Sequence, residues 1–312
     1  MSPKVGKKAT GAGVVLLAGP TASGKSRFAL QLARERSGVI VNADSMQVYA
    51  ALRVLSARPS ADDEVAAPHR LYGHVPAATR YSVGAWLAAI APVLAEATRE
   101  GRAAIVVGGT GLYFKMLTEG LAAIPPIPAE VRAEIAEANR DADTATLHAR
   151  LVASNPEDAA AIRASDRARI VRAMEVFAAT GRSLAEWQRS SAAPPLVDAA
   201  SAERIVLMPE RAELHQRIAD RAGHMVRDGA LEEVRALAAL NLDPAMPAMK
   251  AIGVRELMDH LAGKLSLQEA LTAIRTETRR YARRQITWFR NQMADWPVVI
   301  SPADLDLARP PE

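Results

Sequence analysis

The stretch Val14-Val15-Leu16-Leu17-Ala18-Gly19-Pro20-Thr21-Ala22-Ser23-Gly24-Lys25-Ser26 decides the fold. An unbroken apolar run enters Gly19-Pro20, the pattern of a strand buried on both faces that ends in a turn. Residues Gly19–Ser26 fit G-x-x-x-x-G-K-[ST]. In such a loop the glycines let the backbone curl so that successive N–H groups point at a phosphate. Phe28, Ala29, Leu32 and Ala33 recur at helical spacing from Arg27 to Arg36, and the positive N-terminal end of that helix adds to the anion site. Lys25 supplies a point charge, and the Ser26 hydroxyl is a ligand for Mg²⁺. Gly19, Pro20, Thr21, Ala22, Ser23, Gly24, Lys25 and Ser26 thus form an expected pyrophosphate site, without naming the molecule that carries the pyrophosphate.

Outward from the loop, Gly38–Asn42 reads as a second buried strand, Trp86 to Glu100 as a helix with Leu87, Ile90, Leu94 and Ala97 on one face, and Ala103–Val107 as a third strand. Arg204–Met208 and Pro297–Ile300 read as two more. Strands alternating with helices at this spacing predict an α/β fold of P-loop type, a parallel sheet flanked by helices. The rhythm breaks between residues 124 and 200. Ile124-Pro125-Pro126-Ile127-Pro128 opens this stretch and Ala192-Ala193-Pro194-Pro195 closes it. Between them Val131, Ile135 and Ala138 form one helical stripe, Leu147 and Leu151 another, and Ile170, Met174 and Phe177 a third. Ser183 with Glu186 is a capping box for a short fourth helix. The expectation is an all-helical insertion over 124–200 between core segments 13–123 and 201–312. A single crossover rarely needs so many residues. From Ala212 to Asn291 the chain reads as helical again, with Leu214, Ile218 and Met225 on one face and a long last helix from about Ser266, basic at its end.

Composition narrows the classes. Lys and Arg number 39 against 35 Asp and Glu, a net charge of +4 that permits a nucleic-acid partner without demanding one. There is no cysteine, which excludes disulfides and Cys-ligated zinc and fits a reducing cytoplasm. No apolar run approaches a membrane span, and the short basic stretch over 1–12 reads as a disordered tail rather than a signal peptide. No protein partner is implied, and a monomer is the default expectation.

Two further motifs fall at strand ends. Asp44-Ser45-Met46-Gln47-Val48-Tyr49 follows the second strand, and Gly108-Gly109-Thr110-Gly111-Leu112-Tyr113 the third. Ligands of parallel sheets sit at the carboxyl ends of the strands, so both motifs share a rim with the phosphate loop. Asp44 there can accept a proton from a nucleophile, hold magnesium, or simply cap the next helix. The paired glycines allow a ligand close to the backbone, or form a tight turn, and Thr110 offers a hydroxyl. Met46, Val48 and Tyr49 suit either an apolar ligand or the core.

With Arg284-Gln285-Ile286-Thr287-Trp288-Phe289-Arg290, these motifs, in this order from about residue 13 to 297, resemble the tRNA dimethylallyltransferases (tRNA isopentenyltransferases) of bacterial type. The resemblance implies transfer of a dimethylallyl group from dimethylallyl pyrophosphate to N6 of the adenosine 3′ of the anticodon, with Mg²⁺ and release of pyrophosphate. Family members are often described as ATP-binding because of the loop; here the loop is expected to hold the leaving group. Asp44 would take the proton of the amine, and Thr110 would orient the adenine or the carboxylate. Adenine would be flipped out of its stack. Arg217 and Arg221, four residues apart on one helix face, match positions near the pyrophosphate.

The implied tRNA contacts are Asp44, Ser45, Met46, Gln47 and Thr110 at the rim; Arg132, Arg167, Arg169 and Arg172 in the insertion; and Lys250, Arg255, Arg283, Arg284, Gln285 and Arg290 toward the end of the chain. Clustered cations bind phosphate, and aromatic groups such as Trp288 and Phe289 among them could receive a splayed base. The sequence departs from the family at Leu55-Ser56-Ala57-Arg58-Pro59, where Gly-Thr-Ala-Lys-Pro is usual, which leaves the shape of that loop open. A small-molecule or nucleotide kinase of P-loop fold and a non-catalytic RNA-binding module are the alternative readings.

Overall fold

The computed structural model describes residues 13–190 and 193–301, so the tail expected over 1–12 lies outside the described residues. Strand β1 (Val14–Ala18) leads through the phosphate loop into α1 (Lys25–Glu35) and β2 (Val39–Asn42). A long connection carries α2 (Ala61–Ala66) and the short β3 (His69–Arg70), followed by α3 (Val83–Arg99), β4 (Ala104–Gly108) and α4 (Gly111–Glu119). Next come α5 (Ala129–Ala138), α6 (Thr144–Ser154), α7 (Pro156–Ala161), α8 (Arg167–Thr180) and α9 (Leu184–Ser190). The chain continues through β5 (Glu203–Leu207), α10 (Arg211–Arg227), α11 (Ala230–Ala238), a 3-10 turn at Pro247–Lys250, α12 (Val254–Leu261), α13 (Leu267–Gln292) and β6 (Val298–Val299).

The strands form one parallel sheet in the order β3-β2-β4-β1-β5-β6. This is the α/β architecture expected, with the short edge strand β3 added. Alternation along each strand divides the core between the two faces. Leu16, Val41 and Val106 pack with Trp86 and Ile90 of α3, Phe114 of α4 and Phe289 of α13. Leu17, Ile40, Val107 and Leu207 pack on the other face against Phe28, Ala29 and Leu32 of α1. A separate cluster joins Val48, Tyr49, Leu52 and Leu55 to Val234, Leu237, Val254, Leu257 and Ile274 of the C-terminal helices. Among the described residues, no helix is long and apolar enough to cross a membrane.

The chain divides into two compact units, and Glu119–Pro195 forms the second. The division falls about five residues before the expected boundary at each end. The cause is local. The amides of Leu196 and Val197 both donate to the Leu117 carbonyl at 3.1 Å, and Val197 is buried in the sheet-face cluster, so the chain is already part of the core there. The second unit has its own core of Leu147, Leu151, Ala159, Ile162, Ile170 and Ala173. On α8 Ile170 is buried as expected, but Ala173 and Val176 complete the buried stripe instead of Met174 and Phe177, with Met174 packed against the cluster, and α5 buries none of Val131, Ile135 or Ala138. Half of the expected capping box of α9 forms: the Glu186 amide donates to Ser183 Oγ at 2.9 Å, while Glu186 Oε1 accepts from Arg182 Nε at 2.9 Å. Buried Asp158 adds to it, accepting from the amides of Leu184 and Ala185.

Candidate active site

Parallel register pairs Ala18 with Gly108 and Asn42 with Val107. The exits of β1, β4 and β2 therefore lie side by side at the carboxyl edge of the sheet, the usual place for ligands in such folds. The phosphate loop fills the first of these exits. Gly24 caps α1 at φ +91°, a left-handed conformation that glycine adopts without strain. The Lys25 ammonium curls back to the Pro20 carbonyl at 3.2 Å. Burial brings its pKa down to about 8, with the Asp44 carboxylate opposing that shift and the Arg221 charge adding to it. The Ser23 hydroxyl is buried under the loop with no hydrogen-bond partner among the described residues.

Helix α10 brings two cations onto the loop. Leu214 and Ile218 pack on Ala282 of α13, with Ala22 against them, which sets α10 beside the loop. Arg217 Nη1 donates to the Ser23 carbonyl at 2.8 Å and its Nη2 pairs with Glu213 at 2.6 Å. Arg221 Nη1 donates to Thr21 Oγ1 at 3.1 Å. Burial lowers the Arg221 pKa, and Asp44 opposes that too.

On the acceptor side, buried Asn42 shapes the turn that carries Asp44. Asn42 Oδ1 accepts from the Asp44 amide at 2.9 Å, and Asn42 Nδ2 donates to the carbonyls of Asp44 and Leu71 at 2.9 and 3.1 Å. Asp44 Oδ1 accepts from the amides of Met46 at 2.8 Å and Gln47 at 3.4 Å. The capping reading of Asp44 therefore holds for one oxygen. The other, Oδ2, makes no hydrogen bond among the described residues and lies beside Gly109, where a side-chain carbon would come within 3.4 Å of it. Thr110 joins the two turns: its Oγ1 accepts from the Ser45 amide at 2.9 Å and donates to Ser45 Oγ at 3.3 Å. The phenols of Tyr72 and Tyr281 are pushed up by burial and then by the Asp44 charge. A cavity of about 190 Å³ opens beside Ser26, floored by Ile40 and Val107 and walled by Arg58 and Tyr72.

Several residues expected to touch RNA are turned inward. Gln285 is only 6% exposed. Its Oε1 accepts from the Thr21 amide and its Nε2 donates to the Gly109 carbonyl, both at 2.9 Å, so its side chain is not offered to a nucleic acid. Gln47 Nε2 donates to the carbonyls of Ser56 and Ala57 at 2.9 and 2.8 Å. Val48 and Tyr49 are core residues, with Met46 packed against them. Phe289 is buried in the sheet-face core, and Trp288 lies over Gly111. Gly109 serves an internal neighbour as well: a side-chain carbon there would stand 2.3 Å from Gln285 Nε2.

The remaining cations are on the surface. Arg283, Arg284 and Arg290 are exposed on α13, with the Arg284 guanidinium 5.7 Å from the Tyr281 ring centre. Lys250 is exposed, and Arg255, 88% exposed, stands 3.9 Å from Asp259. In the second unit Arg132 is exposed, Arg169 pairs with Asp166 at 3.3 Å, and Arg172 with Glu175 at 3.6 Å. Arg167 is committed to structure, donating to the carbonyls of Ala142 at 2.6 Å and Asn139 at 3.3 Å.

The departing loop at 55–59 has an explicit support. The Glu233 carboxylate accepts from the amides of Arg53, Val54 and Leu55 at 2.7, 2.6 and 3.0 Å. Leu55, standing where the family has glycine, is buried against Gly253 and Ile274, and the Ser56 hydroxyl turns back to the Leu52 carbonyl. Arg58 packs over Gly73, its Nε buried with no hydrogen-bond partner among the described residues.

A parallel sheet with a phosphate loop, two arginines over that loop and a carboxylate across the same rim defines an α/β protein of P-loop type. The family model for IPP transferase matches residues 47–292, and that for isopentenyl transferase matches 12–76. The chain belongs to this family, the tRNA dimethylallyltransferases. It is 54% identical over 283 residues to the tRNA dimethylallyltransferase of Methylobacterium nodulans, covering 90% of this chain and 93% of that one. It is 53% identical over 285 residues to that of Chelativorans sp., covering 91% and 97%. Among solved structures, it is similar to the tRNA isopentenylpyrophosphate transferase of Bacillus halodurans, with a TM-score of 0.64, 30% identity, and 92% and 89% of the two chains covered. A eukaryotic dimethylallyltransferase acting on tRNA shares the fold, with a TM-score of 0.78 over 95% of this chain and 75% of that one. The kinase and the non-catalytic RNA-binding readings find no support among these relatives.

Proposed function

We propose that this chain transfers a dimethylallyl group from dimethylallyl pyrophosphate to N6 of the adenosine adjacent to the 3′ side of a tRNA anticodon. The observation that carries the reading is geometric. Gln285 bonds the phosphate loop at the Thr21 amide and the turn after β4 at the Gly109 carbonyl, each at 2.9 Å, and Asp44 Oδ2 lies beside Gly109, which supports a shared rim for the anion cradle and the carboxylate; the Asp44 charge also favours the protonated forms of Lys25 and Arg221. The C1–O bond of the allylic diphosphate breaks, and its electron pair leaves with the diphosphate. Loop amides, Lys25 and Arg221 stabilise that growing charge most where water is excluded. The adenine nitrogen forms the new bond to C1, and its proton passes to Asp44 Oδ2, the oxygen not spent on the turn. Thr110 holds the Asp44 turn in place through Ser45.

Magnesium fits this site as an ion brought with the substrate. Among the described residues no group of three or more His, Asp or Glu side chains is placed to hold a metal, and Mg²⁺ commonly takes only one or two protein ligands plus phosphate oxygens. The exposed Ser26 hydroxyl at the start of α1 would be the protein ligand. Bound there, the ion would supply charge neutralisation for the departing diphosphate.

The tRNA contacts of the first unit would be the exposed cations Arg283, Arg284 and Arg290 on α13 with Lys250 and Arg255, and Ser45 and Met46 at the rim; the second unit would add Arg132 as a separate contact. The test is incubation with Mg²⁺, labelled dimethylallyl pyrophosphate and unmodified tRNA, with Asp44→Asn in parallel. Label entering tRNA with the unaltered protein alone supports the reading. ATP turnover without label transfer would favour a kinase, and tRNA binding without chemistry in either protein a binding module.

A further inference from the structure

We infer that Gln285 is a positioning residue for this reaction: its carboxamide cross-links the phosphate loop to the turn after β4 and so sets the leaving-group cradle against the proton acceptor. The inference rests on the transfer reading above. Both ends of one amide are used, each at 2.9 Å, one on the Thr21 N–H and the other on the Gly109 carbonyl. The two loops belong to different strands, and Gln285 comes from a third element, α13. The group is 6% exposed, and Gly109 has no side chain to hold it away. A buried amide satisfied at both ends fixes geometry, because breaking either bond strands a backbone group.

The link also determines what the loop can offer. With its N–H given to Gln285, Thr21 contributes its hydroxyl, which Arg221 holds, and the amides left for the diphosphate come from later in the loop. On the other side, Gly109 is followed by Thr110, whose hydroxyl holds the Asp44 turn through Ser45. A chain of named bonds therefore runs from Arg221 through Thr21, Gln285 and Gly109–Thr110 to Asp44. Loosening its middle member changes the distance between reacting atoms without removing any group that touches them.

Two variants test this. Gln285→Met keeps the volume and removes both hydrogen bonds. It should lower kcat on the order of ten- to a hundredfold, the scale of a misplacement near 1 Å. KM for tRNA should stay within about threefold, because this buried residue makes no RNA contact. Affinity for inorganic pyrophosphate, measured by calorimetry, should weaken about tenfold as the cradle loses preorganisation. Gln285→Glu adds a pH signature. An ionised carboxylate accepts from Thr21 but repels the Gly109 carbonyl, whereas the protonated acid both accepts and donates as the amide does. Its activity relative to the unaltered protein should therefore climb as pH falls through the raised pKa of a buried carboxyl. Simple charge repulsion would give that climb too, but would leave Gln285→Met fully active.

Unchanged kcat and unchanged pyrophosphate affinity in Gln285→Met overturn the inference. So does a raised tRNA KM with kcat intact, which would make Gln285 an RNA contact after all. If the unaltered protein transfers no prenyl group, the functional reading fails separately, and the pyrophosphate titration alone decides the role of Gln285. Should Gln285→Met not fold, as judged by its melting curve, Gln285→Asn takes its place: its carboxamide is one methylene too short to bridge Thr21 and Gly109, so kcat and pyrophosphate affinity should both fall, and unchanged values overturn the inference.

Discussion

The main-chain N–H of Ser45 donates to the hydroxyl of Thr110 at 2.9 Å, tying the turn that carries Asp44 to the end of β4. Thr110→Val keeps the shape and strands that N–H, at a cost of about 1–3 kcal/mol if it stays dry. The expected result is a drop in kcat with little change in tRNA affinity. Thr110→Ser, which restores the oxygen, should recover most of the loss. A Val variant with full kcat would remove Thr110 from any role in placing Asp44.

Lys25 gives a pH dependence whose sign can be worked out. Burial lowers its pKa from 10.5 to about 8 in the folded chain. Between those values the unfolded chain binds more protons, so this group's contribution to stability rises with pH across that window. At neutral pH its buried charge is a cost. Lys25→Met should accordingly melt at the same temperature or higher while losing prenyl transfer, a trade of stability for function. Pyrophosphate binding runs the other way. The bound anion favours the charged amine, so affinity should fall as pH passes about 8, with proton uptake on binding above it. Calorimetry in two buffers of different ionisation enthalpy reads the uptake directly. Affinity independent of pH from 7 to 9 would contradict it.

Asp44 spends Oδ1 on two backbone amides and keeps Oδ2 for the rim. Asp44→Asn preserves an acceptor for the turn but has no basic oxygen. It should retain the fold and tRNA binding and lose about 10²- to 10⁴-fold in kcat, the usual worth of a general base. Asp44→Ala should show the same chemical loss together with a lower melting temperature, because the amides of Met46 and Gln47 lose their acceptor. Equal melting temperatures for the two variants would mean that the turn does not depend on the carboxylate.

What was legible in the sequence and what was not have a common physical cause. Apolar runs ending at Gly19, Asp44 and Gly108 announced buried strands, and phosphate-loop chemistry depends on local spacing, so the sheet and its rim could be read directly. Long-range side-chain bonds leave no such spacing. Nothing near Gln285 indicates that its amide reaches residues 264 and 176 positions away, and in a helix rich in arginine it reads as one more RNA contact. Asn42 was hidden at the end of an apolar run, although a buried asparagine there must find partners. The glycines at 108–109 read in the sequence as room for a ligand or as a tight turn, while at Gly109 the room is taken by Gln285. The short strand β3, with two residues at the sheet edge, carries too little periodicity to detect.

The arginines of the second unit and those of the C-terminal helices should respond differently to substitution. Arg167 is bound to two carbonyls in the connection between α5 and α6, while Arg255 is 88% exposed with a loose partner. Losing Arg167 leaves the Ala142 and Asn139 carbonyls without their charged donor, so Arg167→Ala should lower the melting temperature of the protein. Charge-assisted bonds of this kind are worth about 1.5–3 kcal/mol where they are protected from water, and less at an exposed guanidinium. Arg255→Ala should leave the melting temperature alone. If Arg255 contacts a tRNA phosphate, the variant weakens binding and reduces the slope of log affinity against log salt by about 0.7–0.9, one released counterion. Arg283→Ala and Arg284→Ala should behave like Arg255→Ala and, as separate phosphate contacts, reduce the slope additively. A salt slope that falls for Arg167→Ala but not for these three would move the RNA footprint off α12 and α13 and onto the second unit.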